Sequence, residues 1–103
     1  MNAGEPQKNI YYTCAKHSSK PQDKYLTWNT SRFIGNHVKM CFQEIGTGKK
    51  EHLWIRIHSV KNKNTLYGIV DNIPVLKLEV KDGDPVEVPI KNIESFFDGA
   101  KEI

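Results

Sequence analysis

Cysteine is almost absent: Cys14 and Cys41 are the two in 103 residues. Two are too few for a disulfide scaffold, and free thiols in a reducing cytosol are the expectation. No apolar run approaches the ~20 residues that a membrane-spanning helix needs, so no membrane association is expected. The opening MNAGEPQKNIYYT lacks the basic-then-apolar layout of a secretory signal, which makes cytoplasmic the expected location. Charge of one sign is also scarce. Fifteen Lys and Arg against 12 Asp and Glu leave a net +3, and dedicated nucleic-acid binders carry a stronger basic excess. No specific nucleic-acid partner is expected. Internal repeats and low-complexity tracts are missing too.

What is present suits one soluble domain over residues 1–103, with residues 1–9 a loose start. A chain of this length buries roughly 65% of its unfolded surface, enough for a core. From His37 onward the apolar residues alternate. In HVKMCFQE, Val38, Met40 and Phe42 share one face; in EHLWIRIHSV, Leu53, Ile55 and Ile57 do. The GTGKK stretch between them joins two strands, so an antiparallel hairpin is predicted. Pairing Val38 with Ile57, Met40 with Ile55 and Phe42 with Leu53 puts every core residue opposite another. That register also sets Lys39 against Arg56 and His37 against His58, a like-charge conflict.

Further strands are predicted at NIYYTCA, TLYGIVDN, VLKLEV and PVEVPI. Gly68 marks a bulge or a close backbone approach, and Pro85 and Pro89 suit a sheet edge. KDGD is a turn signal. A short helix is predicted within LTWNTSRFIGN, capped by Thr30 or Ser31 and ended by Gly35 or Asn36. KNIESFFDGAKE reads as a C-terminal helix, with Asn92 as its cap and Ile93, Phe96 and Phe97 facing inward. The predicted class is α+β: a curled antiparallel β-sheet of about five strands with one or two short helices, including the C-terminal one.

Glu51, His52 and Trp54, then Gly68, Asn72 and Pro74, then Gly83, Asp84 and Ile93 form an ordered pattern. From about His37 to Phe97 this pattern resembles the small bacterial and phage domains typified by YegJ, a family of unknown function. The resemblance implies a compact β-rich fold and no known activity. Two departures stand out: Ile73 occupies a position where that family has Glu, and Ser95–Phe96 one where it has Asp–Trp. The segment before Asn36 has no clear counterpart.

The outward residues of the hairpin are the candidate site. Arg56, Trp54, Lys39, His52, His58 and His37 combine charge-assisted donors with a stacking surface, the chemistry that holds phosphates and bases. No carboxylate interrupts the two strands on that side. The plain alternative is a solvated sheet face with basic side chains lying over Trp54, or a face covered by the C-terminal helix. Tyr11, Tyr12 and Tyr25 either cover the core or wall a pocket over the stripe.

Other chemistries fit less well. Cys14-x-x-His17 and His37-x-x-x-Cys41 hint at zinc, but four residues of strand separate His37 and Cys41 by ~13 Å. No metal and no cofactor are expected. Cys41 has histidines near it but no catalytic motif around it. Glu44, Glu51, Asp71, Glu79, Asp82 and Asp84 mark turns and strand ends rather than a paired-carboxylate site. GTGKK lacks the strand-to-helix setting of a phosphate loop. The expected function is therefore non-catalytic: a binding protein for a small anionic, nucleotide-like ligand, as in a phage protein that sequesters a host immune signal. Homo-oligomerisation through an open sheet edge could complete its pocket. The alternative is a protein-interaction module, such as an immunity or inhibitor protein covering an acidic partner.

Overall fold

The computed structural model describes residues 11–12, 21–44, 46–78 and 80–103, the first pair as backbone only. The loose start expected at 1–9, the Cys14–His17 segment and the Tyr11 and Tyr12 side chains lie outside the described residues. Six strands form one sheet: β1 Tyr11–Tyr12, β2 His37–Gln43, β3 Lys50–Asn62, β4 Thr65–Val70, β5 Pro85–Pro89 and β6 Ser95–Phe97. Strands β1 to β5 lie in sequence order, every pairing is antiparallel, and β6 also pairs with β2. Along the outer edge of β2, β6 meets His37–Lys39 and β1 meets Cys41–Phe42.

The predicted alternation holds. Val38, Met40, Leu53, Ile55 and Ile57 are fully buried, and Leu66, Val86 and Val88 extend the same inner face across β4 and β5. Fully burying each such side chain contributes roughly 1.5–3 kcal/mol. Tyr25, Phe33, Ile93 and Phe96 close over this face from segments outside the β2–β5 meander. Tyr25 is thus core, and its hydroxyl donates to the Ile103 carbonyl at 2.6 Å.

The hairpin register differs from the expected one by two residues. His37 faces Arg56, Val38 faces Ile55, Lys39 faces Trp54, Met40 faces Leu53 and Cys41 faces His52. An even shift keeps every side chain on its face, so the hydrophobic pattern alone could not tell the two registers apart. The connection decides. The Glu44 N–H donates to the Lys49 carbonyl at 2.7 Å, and the Thr47 hydroxyl donates to the Glu44 carboxylate at 2.6 Å, which closes the loop with Gln43 opposite Lys50. The expected Lys39–Arg56 conflict vanishes as a result.

The α+β class is corrected to a mostly β fold, because the described residues contain 3-10 turns and no α-helix. Those turns are Asp23–Thr27, Thr30–Phe33 and Ile90–Asn92. The second is capped by Asn29, whose side chain accepts from the Ser31 N–H at 3.1 Å, not by Thr30 or Ser31. The predicted C-terminal helix is replaced by Ile90–Asn92 and β6, and Asn92 closes a turn instead of capping a helix. Asp98–Gly99 explains why. Gly99 has φ +92°, and the Asp98 carboxylate accepts from the N–H groups of Ala100 and Lys101 at 2.9 and 3.0 Å. This tight turn folds the chain back, so that the Ile103 N–H donates to the Phe96 carbonyl at 2.7 Å. Asp-Gly is a hairpin signal, and it outweighs a short helical spacing. Phe96 then points into the core while Phe97 shares the outer face with His37.

No strand forms among the described residues of VLKLEV. Those backbone groups are held by carboxylates: Glu51 accepts from the N–H groups of Val75 and Leu76 at 3.0 and 2.9 Å, and Glu44 from Lys77 at 2.7 Å. Gly68 behaves as expected. A Cβ there would lie 2.6 Å from Ile55 Cγ2 and 2.8 Å from the Arg56 carbonyl oxygen, and the ladder shifts beside it between Ile57 and Ser59.

Candidate functional site

The outer face of β2 and β3 presents the expected stripe, but other segments bring carboxylates to it. His52 Nδ1 lies 2.6 Å from Glu94 Oε1, and the Glu94 side chain is fully buried. His37 Nε2 lies 2.7 Å from Asp71 Oδ2, just past the end of β4. Lys39 Nζ lies 3.7 Å from Glu102 Oε2, and Glu102 also accepts from the Ser95 hydroxyl. Three of the five expected cationic positions therefore meet an acid. Arg56 and His58 are exposed. Arg56 makes no ion pair among the described residues, while the His58 ring stacks on Tyr67 with centroids 6.5 Å apart.

Trp54 is the centre of this face. Its backbone N–H donates to the Asn72 side chain at 3.0 Å, and its carbonyl accepts from the Asp71 N–H at 3.0 Å. Asn72 thereby extends the ladder past the last β3–β4 pair and sets Asp71 beside the ring. The indole meets Phe97 edge-on at 6.1 Å, and the Lys39 ammonium stands 5.0 Å from its centroid. Beside it opens a pocket of about 360 Å³ lined by His37, Trp54, Asp71, Phe97 and Glu102. Its size lies at the small end of the range for ligand pockets, roughly 300–1,000 Å³.

Of the six expected site residues, the structure brings His37 and Trp54 to one pocket with Lys39 over the Trp54 ring. His52 serves the buried Glu94 pair instead. Arg56 neighbours His37 in the ladder without lining the pocket, and His58 sits at the bulge opposite Tyr67. Asp71, Phe97 and Glu102 were missed. The Asp98–Gly99 turn signal would have turned Phe97 outward and set Glu102 opposite it, where the two form a bridge.

Two ionisable groups outside the pocket lining are shifted. Burial, followed by the negative charge of Glu102, raises the Tyr25 phenol above its ordinary range. The Thr47 hydroxyl and then the Lys77 N–H hold the Glu44 carboxyl below its ordinary range. Cys41, His52 and Glu94 also place possible ligand atoms within 4.8 Å of one another. Cys41 is disulfide-bonded, however, which corrects the expected free thiol and leaves it no thiolate to offer a metal. No helix among the described residues is long and apolar enough to cross a membrane.

A family described as an uncharacterized protein conserved in bacteria (DUF2314) matches residues 7–99. That span includes the segment before Asn36 as well as the motif-bearing strands. No curated protein and no solved structure matches the chain.

Proposed function

We propose that this chain, which belongs to the bacterial DUF2314 family, is a non-catalytic protein-interaction module that seats part of a partner in the Trp54 pocket. The observation that carries this reading is the pocket itself: two aromatic walls and three ionisable groups, held by strand pairing and by the Asn72 side chain. Aromatic anchors with a few fixed polar groups are what a recognition site needs. Two exposed apolar side chains follow Asp71 in sequence, Ile73 at 77% and Val75 at 89%. Exposed apolar side chains beside a polar-rimmed pocket favour a protein surface over a small solute.

A second reading keeps the anionic, nucleotide-like ligand and a sequestering role, that of a YegJ-like phage protein in defence evasion. Exposed Arg56, beside His37 and without an ion pair among the described residues, favours it.

Native mass spectrometry of the protein purified from bacterial cells tests the proposal. A protein partner in fixed ratio, lost from both Trp54→Ala and Val75→Asp variants, is the expected result. A phosphate-bearing small molecule lost from Arg56→Ala would select the second reading. Retention of the partner by Trp54→Ala would remove the pocket from recognition.

A further inference from the structure

The pocket's chemistry can be taken one step further, resting on the reading of that pocket as a recognition site. The molecule holds two indoles, and a cation stands over each. The Arg32 guanidinium carbon is 3.7 Å from the Trp28 ring centroid, and the Lys39 ammonium is 5.0 Å from that of Trp54. A cation in such a position is attracted by the negative face of the ring. Around Trp54 the lining adds two carboxylates, Asp71 and Glu102, the first already paired with His37, and among the described residues neither Lys nor Arg lines it. Both carboxylates are about half exposed, at 54% and 52% of their side-chain surface. Each therefore offers lone pairs toward solvent beyond the partner it already has. Lys39 is held loosely by comparison, with its nitrogen 3.7 Å from Glu102, too far for a well-formed hydrogen bond.

We infer that this pocket receives an arginine side chain from a partner protein, and that Lys39 is its internal stand-in, displaced when the guanidinium arrives. A guanidinium stacks on an indole better than an ammonium does, and its planar fork can bond a carboxylate through two N–H groups at once. Asp71 and Glu102 flank the ring on which it would lie. An anion entering the same space would face both carboxylates, which gives the site a built-in bias against it. The expected partner surface is thus basic at its point of insertion and apolar around it, matching Ile73 and Val75.

The test is a chemical-shift titration that follows the Trp54 indole N–H, with N-acetyl-arginine amide as the probe. Its neutral isostere N-acetyl-citrulline amide and adenosine monophosphate are the other arms. The Trp28 indole, already covered by Arg32, reports that the fold is intact in every variant. The expected result is a Trp54 shift with the arginine probe alone, at millimolar concentration, as suits a single side chain. Lys39→Met should tighten that binding about tenfold by removing both the competing cation and its repulsion. Asp71→Asn and Glu102→Gln should each weaken it about fivefold or more. Equal response to citrulline, or weaker binding by Lys39→Met, would overturn the arginine assignment. A response to the nucleotide alone would overturn the assignment while preserving the pocket as a binding site. Silence of the Trp54 signal toward all three probes would overturn both.

Discussion

Trp28 and Trp54 are both only partly buried, yet their surroundings differ. Trp28 is enclosed by rings: Tyr25 at 4.8 Å, Phe96 at 5.0 Å and Phe33 at 5.5 Å between centroids, with Arg32 across its remaining face. Among the described residues Trp54 meets one ring, Phe97 at 6.1 Å, and it shares its surroundings with a pocket of about 360 Å³. Partial exposure is therefore not what marks a recognition residue. Unfilled space beside a ring whose backbone is pinned on both sides is the better marker, and Trp54 has it.

Swapping the sizes of the two substitutions would break this comparison. Trp28→Ala should cost about 3–5 kcal/mol in chemical denaturation, as removal of a large ring from a packed cluster does. Trp54→Ala should cost about 1 kcal/mol, since one edge-on ring contact and one cation over the ring are lost. The outer face near Trp54 is not uniform either. His52→Ala should cost about 2–3 kcal/mol, because it takes a charge-assisted bond from the fully buried Glu94 carboxyl. Arg56→Ala, on the same face, should stay within about 0.5 kcal/mol of the parent. The Trp54→Ala, Arg56→Ala double variant should accordingly unfold in one cooperative transition, and loss of that cooperativity would assign the pair to the core.

The smallest expected effect concerns pH and the loop that begins at Asp71. Glu44 has a lowered folded pKa, first from the Thr47 hydroxyl and then from the Lys77 N–H. Its support for the loop is thus present above the ordinary carboxylate range and lost as pH falls through the lowered value. The Lys77 amide resonance should titrate below that range, and in Glu44→Gln it should not.

The strands and their inward faces were legible because alternation is written locally. Leu53, Ile55 and Ile57 had one face to choose, Gly68 had a Cβ that could not fit, and Pro85 and Pro89 belonged on the edge strand β5. The register was not legible, because a slip of two preserves the alternation and the Glu44–Lys49 connection breaks the tie. VLKLEV has strand-like residues, but Glu51 and Glu44 take its backbone donors before a neighbouring strand can. The spacing of Ile93, Phe96 and Phe97 reads as helical, but the Asp98–Gly99 turn overrides it. The same turn explains the site. Three of the five described lining residues, Asp71, Phe97 and Glu102, follow the β2–β3 hairpin in sequence, and their approach is a tertiary fact. A cationic stripe read along two strands could not show which of its members would meet an acid.

A crystal structure of the protein with N-acetyl-arginine amide at millimolar concentration tests the role of Trp54 most directly. The expected density shows the guanidinium flat on the Trp54 indole and bonded to Asp71 or Glu102, with Lys39 swung off the ring and Trp28 still under Arg32. Lys39 unmoved over Trp54, with the probe bound elsewhere or nowhere, would contradict it.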